Sequence, residues 1–149
     1  MYCSSRSWAI LKNAKLNAAN LENADLSEAK LEGAELYMAN LKKADLIGAK
    51  LENANLYMAI LENATLIGGH LENTDLTGAN LKNAYLHKAH LENANLKEAH
   101  LENAYLIDGI LKKANLNEAH LEKTDLNGAN LENANDLNGA YLENAELIV

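Results

Sequence analysis

The sequence predicts an all-β fold, a β-solenoid that turns a corner every five residues. Three observations predict it: leucine recurs at every fifth position, a small residue lies two positions before each leucine, and several side chains recur at a spacing of twenty. A chain with this pattern buries its leucines only if each five-residue unit forms one short side of a coil.

The leucine register is nearly unbroken. Leucine occupies every fifth position from Leu11 to Leu131, and the insertion of Asp136 then makes one step six residues long before the register resumes at Leu137. All 28 leucines of the chain lie in this register. The residue two positions before each leucine through Leu131 is alanine, with four exceptions: Gly69, Thr74, Gly109 and Thr124.

Neither a helix nor a flat strand buries leucines with this period. Five residues advance an α-helix by about 500°, so successive leucines point about 140° apart and form no apolar stripe. Along a straight strand the side chains alternate between faces, so leucines five residues apart fall on opposite faces. The composition favours helix, but the helical period is absent over the whole chain. A coil of short β-like sides places every leucine toward one axis.

The composition excludes several classes of protein. The formal net charge is −8 at pH 7, which argues against direct binding to nucleic acid or to an anionic membrane surface. Cys3 is the only cysteine, so no internal disulfide is expected. The first residues lack the apolar segment of a secretory signal, and no apolar run reaches the roughly 18 residues of a membrane span. We therefore expect a cytoplasmic protein.

The repeated unit resembles that of the pentapeptide-repeat family, whose motif is Ala-(Asp/Asn)-Leu-x-x. Two examples are Ala-Asp-Leu-Ser-Glu at 24–28 and Ala-Asn-Leu-Lys-Glu at 94–98. The resemblance covers residues 9–149 and implies a single domain, a right-handed quadrilateral parallel β-helix with four units per coil. Residues 1–8 are expected to form an N-terminal segment or cap. With four leucines per coil, the 28 leucines predict about seven coils.

The two ends of a solenoid expose apolar core and unpaired backbone, so both need caps. Trp8 and Ile10 are predicted to plug the N-terminal end. The C-terminal residues Leu147, Ile148 and Val149 form an apolar tail. Members of the resembling family often pair through their C-terminal ends, which implies a homodimer through this tail.

Two sets of outward residues are candidate interaction surfaces. A spacing of twenty stacks four glutamates into an acidic ladder on one face: Glu32, Glu52, Glu72 and Glu92. The same spacing pairs four tyrosines into two exposed stacks: Tyr37 with Tyr57, and Tyr85 with Tyr105. Lys30 and Lys50 are expected to balance the charge of the first two ladder glutamates. Asparagines two positions after leucine are predicted to form the corners, with their amides hydrogen-bonded from coil to coil.

No catalytic, cofactor-binding or metal-binding residues are predicted. Four histidines pair at a spacing of twenty: His70 with His90, and His100 with His120. A zinc site needs three or four ligands, and no third histidine converges on either pair; Glu72 and Glu92 lie near the first pair but are as easily solvated. No serine or cysteine has an organised histidine partner, and a flat-sided rod offers no catalytic pocket. We expect a protein that is not an enzyme and uses no cofactor.

Three functions remain open. The favoured one is a non-enzymatic structural or protein-interaction solenoid that presents flat faces to an unknown protein partner. The resemblance implies a second, because some members of the family are DNA mimics that bind type II topoisomerases such as gyrase, and the acidic ladder is the matching feature. The third is a designed or fragmentary repeat array without a selected function. With 13 basic and 21 acidic residues the acidic charge is diluted, which favours the first hypothesis.

Overall fold

The computed structural model describes residues 8–134, 140–141 and 143–144. The backbone pairs through isolated parallel β-bridges, and the described residues contain neither a helix nor a longer strand. Each bridge in the regular part joins residues twenty positions apart, as in Ile10 with Lys30 and Lys30 with Lys50. One coil therefore contains twenty residues, as the sequence predicts. In this part of the chain no helix is long and apolar enough to cross a membrane.

Four columns of bridges run along the solenoid, one for each five-residue side of the coil. We number the sides in chain order by their first leucines: side 1 from Leu11, side 2 from Leu16, side 3 from Leu21 and side 4 from Leu26. The column of side 1 stacks seven residues, from Ile10 to Asn130, which confirms about seven coils. In a closed four-sided coil, side 1 lies opposite side 3, and side 2 lies opposite side 4.

Backbone hydrogen bonds follow one rule in every side. The leucine N–H donates to the next coil, as from Leu31 to the Lys50 carbonyl at 2.7 Å, and the corner closes with the Ala34 N–H donating to the Leu31 carbonyl at 2.9 Å. The residue after leucine often donates to a side chain instead, as when the Ile47 N–H donates to Asp45 Oδ1 at 3.0 Å. A short acceptor forms this Asx turn, which explains why Asp or Asn so often precedes leucine.

The corner residue, two positions after leucine, has a positive φ in every described repeat. Asn53 and Asn73 adopt φ values of 59° and 58°, and Gly33 adopts 65°. Asparagine and glycine tolerate this conformation best, which explains their abundance at the corners. The predicted amide hydrogen bonds from coil to coil are absent from these corners in the described residues; Asn63, for example, donates to the adjacent Glu62 at 3.2 Å.

Leucine and alanine form the core that the sequence predicts. Every leucine from Leu26 to Leu126 is buried, and so is the residue two positions before leucine from Ala29 to Thr124. The two threonines at these alanine positions fit the core because each hydroxyl donates to a backbone carbonyl at 2.7 Å, in Thr74 as in Thr124. No buried hydroxyl is left unpaired at these positions.

The first coil is more exposed than the middle of the solenoid. Leu11, Leu16 and Leu21 are only partly buried. Ile10 is 75% exposed because it occupies the outward position before Leu11, so the prediction that Ile10 plugs this end is wrong. Trp8 is half exposed. Residues 1–7 of the predicted N-terminal segment lie outside the described residues.

The last described coil shows the effect of the inserted residue. His120 bridges Tyr141, a separation of 21 residues. The Leu121 N–H donates to the Tyr141 carbonyl at 2.8 Å, so backbone pairing continues with the register shifted by one. The insertion therefore lengthens one coil without ending the stack. Asp136 itself lies outside the described residues, as do the predicted dimer residues Leu147, Ile148 and Val149.

Candidate interaction surfaces

The residues predicted to form an interaction surface lie on three different sides of the coil. The glutamate ladder lies on side 1, Tyr37 and Tyr57 lie on side 2, and Tyr85 and Tyr105 lie on side 4. Because sides 2 and 4 are opposite, the two tyrosine pairs cannot contact the same flat partner surface. The spacing of twenty identifies each stack correctly, but the stacks belong to separate surfaces.

The acidic ladder on side 1 forms as the spacing predicts. Backbone hydrogen bonds place its four members in successive coils: Glu32, Glu52, Glu72 and Glu92. One carboxylate oxygen of each is buried without a hydrogen-bond partner. Lys30 and Lys50 occupy the neighbouring column of side 1, but within the described residues neither forms an ion pair with a ladder glutamate. The two lysines therefore lie near the ladder glutamates, as expected, but do not contact them directly.

Side 3 alternates glutamate with lysine in one column from Glu22 to Glu102, and the column continues with Glu122 and Glu143. Lys42 Nζ lies 2.9 Å from Glu62 Oε2 in the next coil, and Lys82 Nζ lies 3.0 Å from Glu102 Oε1. The hydrogen bond from Lys42 lowers the pKa of Glu62. Burial raises the pKa of Glu102, but hydrogen bonds from Lys82, from the Glu102 backbone N–H and from His100 together outweigh burial and lower this pKa. Two glutamates of side 3, Glu62 and Glu102, are thus paired with lysines.

Side 4 carries a continuous apolar and aromatic surface that the sequence analysis missed. Two adjacent columns build it, one before leucine and one after. The sequence contains the pattern, since isoleucine and tyrosine recur at a spacing of twenty residues. Only the structure shows that the two columns lie side by side and form one surface. Four of its members are each at least 37% exposed. We call this surface the Ile–Tyr patch, and it comprises Ile47, Ile67, Tyr85, His87, Tyr105 and Ile107.

The aromatic half of the Ile–Tyr patch is a cluster of three rings. Tyr85 and Tyr105 stack with ring centroids 5.2 Å apart, and His87 lies against them at 6.4 and 5.9 Å. Rings that already contact one another have less rotamer freedom to lose when a partner binds. Asp45 and Asp125 lie beyond the two ends of the tyrosine column, so the patch has an acidic rim.

Side 2 carries a smaller apolar surface. Tyr37 and Tyr57 stack with centroids 5.7 Å apart, and Met38 and Met58 are each 48% exposed at the neighbouring corners. In the next coil the position of Tyr57 is taken by Thr77, so this surface extends over only two coils. It is therefore shorter than the Ile–Tyr patch.

Four histidines each lie beside a glutamate. In each pair of histidines, a glutamate oxygen provides a third possible metal ligand, which the histidine spacing alone does not reveal. On side 1, His70 and His90 stack with centroids 4.9 Å apart, and the ligand atoms of His70, Glu72 and His90 lie within 4.8 Å of one another. The same arrangement recurs on side 3, where the histidine rings are 4.6 Å apart: His100, Glu102 and His120. All six residues are partly buried.

Comparison with protein-family models agrees with the geometry of the coil. The model for pentapeptide repeats matches with eight copies, over residues 9–46, 44–83, 59–97, 84–121, 99–135 and 110–147. The chain belongs to the pentapeptide-repeat family. No curated protein matched the sequence.

Several solved structures are similar. HetL, a pentapeptide repeat protein involved in heterocyst differentiation regulation from the cyanobacterium Nostoc sp. strain PCC 7120, is 35% identical over 94% of this chain and 68% of HetL, with a TM-score of 0.46. Rfr23 from the cyanobacterium Cyanothece 51142 is 31% identical over 83% of this chain and 60% of Rfr23, with a TM-score of 0.26. The protein alr5209 from Nostoc PCC 7120 is 27% identical over 95% of this chain and 86% of alr5209, with a TM-score of 0.33.

Proposed function

We propose that this chain is a non-enzymatic scaffold that binds a protein partner through the Ile–Tyr patch of side 4. The observation that supports this proposal is an exposed apolar and aromatic surface spanning successive coils on one flat face. Tyrosine is enriched among the residues that dominate binding energy, and apolar side chains at the centre of an interface lose water on binding. The partner that fits has a flat apolar centre with lysine or arginine opposite Asp45 and Asp125.

Two matched substitutions on opposite sides test this function. Ile67→Lys places a charge in the Ile–Tyr patch, and Tyr57→Lys places the same charge on side 2. Both residues directly follow a leucine, and both are 37% exposed, so the two variants should be equally stable. A partner captured by the tagged chain from cells that produce it is purified and titrated with each variant. We expect Ile67→Lys to weaken binding about tenfold or more and Tyr57→Lys to change it less than about twofold.

Equal loss in both variants, or full binding by Ile67→Lys, would contradict the assignment to side 4. Loss only in Tyr57→Lys would assign the partner to side 2 instead. Chemical denaturation of both variants is the control, because an unfolded variant loses binding for an unrelated reason.

We also propose that residues 9–149 form one domain whose coils turn in the right-handed sense. Connections between parallel β segments are overwhelmingly right-handed, because the right-handed twist of the chain favours that crossover. A homodimer through Leu147, Ile148 and Val149 and a cytoplasmic location stay predictions. Such a dimer would join two rods end to end and leave the Ile–Tyr patch of each free for a partner.

A further inference from the structure

Four copies of the tripeptide His-Leu-Glu build two clusters of histidine and glutamate. The copies occupy residues 70–72, 90–92, 100–102 and 120–122. The first two stack on side 1 and the last two on side 3, because one coil of twenty residues separates the members of each pair. The resulting side 1 and side 3 His–Glu clusters lie on opposite faces, and neither includes a residue of the Ile–Tyr patch.

Each histidine contacts the glutamate two positions later. The Nδ1–Oε1 distances are similar in all four copies: 3.3 Å for His70–Glu72 and for His100–Glu102, 3.5 Å for His90–Glu92 and 3.6 Å for His120–Glu122. Within each pair the imidazole planes are nearly parallel, at 15° on side 1 and 14° on side 3. The contacts hold each Nδ1 beside a carboxylate oxygen, and the stacking places the two rings of a pair directly above one another in successive coils.

Three possible ligand atoms in each cluster lie close enough together to share one metal ion. In both clusters two imidazole nitrogens and one carboxylate oxygen lie within 4.8 Å of one another. Zinc binds imidazole nitrogen and carboxylate oxygen at about 2.0–2.2 Å, so both imidazoles of a pair must rotate about χ1 and χ2 out of their parallel stack, and the glutamate must turn with them, to place these atoms on one ion. The second glutamate of each cluster contacts the second histidine, at 3.5 Å for Glu92 and 3.6 Å for Glu122, and lies outside the group of three close donors.

The charge of the clusters favours a cation. A second carboxylate oxygen is buried without a hydrogen-bond partner in all four glutamates: Glu72, Glu92, Glu102 and Glu122. Carboxylates stacked in successive coils repel one another, and a divalent ion between them neutralises that repulsion. Glu32 and Glu52 have the same buried oxygen, but Lys30 and Lys50 stand where the clusters have histidine, so those coils lack neutral nitrogen ligands.

We propose that each His–Glu cluster binds one divalent transition-metal ion, and that zinc matches the two imidazoles and the carboxylates best. The ligands come from adjacent coils, so a bound ion links one coil to the next. Only the folded stack brings these ligands together, and zinc therefore stabilises the folded state.

The side 3 cluster contains a competitor for the metal. Lys82 Nζ lies 3.0 Å from Glu102 Oε1, the oxygen that also faces His100. In the described part of the chain no lysine pairs with Glu72 or Glu92 in this way. A groove of about 360 Å³ opens onto His100 and His120 and gives ions access to the cluster. Replacement of the Lys82 ammonium should therefore tighten zinc binding on side 3.

Calorimetric titration of the full chain with zinc tests the proposal through its stoichiometry. We expect two ions per chain for the parent and none for the variant that lacks all four cluster histidines. Asparagine is the replacement of choice because Asn80 and Asn130 already occupy these two columns. Each double variant is expected to bind one ion: His70→Asn with His90→Asn, and His100→Asn with His120→Asn.

Two single variants are matched controls that should still bind two ions. His87→Asn removes the one histidine outside both clusters, and Cys3→Ser removes the only thiol. A third variant, Lys82→Met, should tighten binding at one site about threefold or more by removing the competing charge. Circular dichroism without zinc checks that every variant folds.

Three results would overturn the proposal. The first is a stoichiometry that stays at two when either histidine pair is replaced. The second is binding that disappears in His87→Asn or Cys3→Ser instead. The third is a lack of zinc binding by the parent at micromolar zinc. The scaffold function is tested separately, since Ile67→Lys should leave the zinc stoichiometry unchanged.

Discussion

The corner residue of each repeat adopts a backbone conformation that most amino acids disfavour. Asparagine and glycine occupy many corners, but Met58, Lys88 and Glu118 also have φ values of 53°, 55° and 57°. A positive φ costs an ordinary residue about 1–2 kcal/mol. The backbone tolerates this cost because the corners of the regular coils are held by hydrogen bonds, such as the 2.9 Å bond from the Met58 N–H to the Thr77 carbonyl. Corner identity therefore affects stability although the side chains face solvent.

Substitution of one corner asparagine tests this conclusion. Asn73→Val should destabilise the fold by about 1–2 kcal/mol, because a β-branched residue is strained at the φ of 58° that Asn73 adopts. Asn73→Gly is the control and should change the free energy of unfolding by less than about 0.5 kcal/mol. Urea denaturation measures both values. Equal stability of the two variants would show that the corner does not enforce this conformation.

The columns of each side couple neighbouring coils through side chains as well as through the backbone. Lys42–Glu62 and Lys82–Glu102 on side 3, like Lys112–Glu132 on side 1, each join residues twenty positions apart. The hydrogen bond from Lys112 lowers the pKa of Glu132 as well. The side chains of the other two pairs are 31–59% exposed, so these pairs contribute little, whereas Glu102 is only 20% exposed. We therefore expect the Lys82–Glu102 ion pair to make a measurable contribution to the free energy of unfolding.

The Lys82–Glu102 pair makes a definite pH prediction. The folded pKa of Glu102 lies below its ordinary value of 4.5, so its stabilising contribution is complete above that value and is lost as the pH falls through the folded pKa. Glu102→Gln should cost about 0.5 kcal/mol at about pH 7 and almost nothing at about pH 3. Urea denaturation at both pH values measures this difference.

The control for the pH prediction is Glu22→Gln. Glu22 occupies the same column of side 3, is exposed, and forms no ion pair within the described residues. Its substitution should have the same small effect at both pH values. A cost of Glu102→Gln that does not depend on pH would mean that the ion pair contributes nothing to folding.

The charge of the solenoid is distributed unevenly over its four sides. Side 1 carries a run of stacked carboxylates, but Lys12 and Lys112 end the run and Lys30 and Lys50 stand beside it. Side 3, across the coil, pairs Lys42 with Glu62 and Lys82 with Glu102. A DNA mimic needs a strong and continuous negative field to compete for a basic DNA-binding surface. The interrupted field of this molecule favours the scaffold function.

One assay distinguishes the DNA-mimic hypothesis, which predicts inhibition of a type II topoisomerase, from the scaffold hypothesis, which predicts none. We expect no inhibition of DNA gyrase supercoiling at micromolar protein, because nearby lysines weaken the acidic ladder. The informative variant replaces all four ladder glutamates with lysine: Glu32, Glu52, Glu72 and Glu92. Inhibition by the parent that weakens with salt and disappears in this variant would make DNA mimicry the better hypothesis.

Much of this architecture follows from the sequence because one spacing controls both burial and stacking. A leucine every five residues has only one way to reach a common axis, and recurrence at twenty gives the length of the coil. The buried leucines, the alanine positions and the asparagine corners were all predicted on this basis. The exposed position of Ile10 was not, because apolar character suggested a plug while the register places this residue outward.

The sequence by itself determined which residues stack, since pairing at i and i + 20 is a property of the repeat. Only the tertiary structure decided which stacks are neighbours and what their side chains contact. Tyr85, His87 and Tyr105 form one cluster, while Tyr37 lies on the opposite side. The physical reason is that the repeat fixes the backbone ladder, whereas contacts between columns depend on coil closure and on side-chain rotamers. The spacing of twenty gives the length of the coil, but side-chain rotamers have no period that the sequence displays.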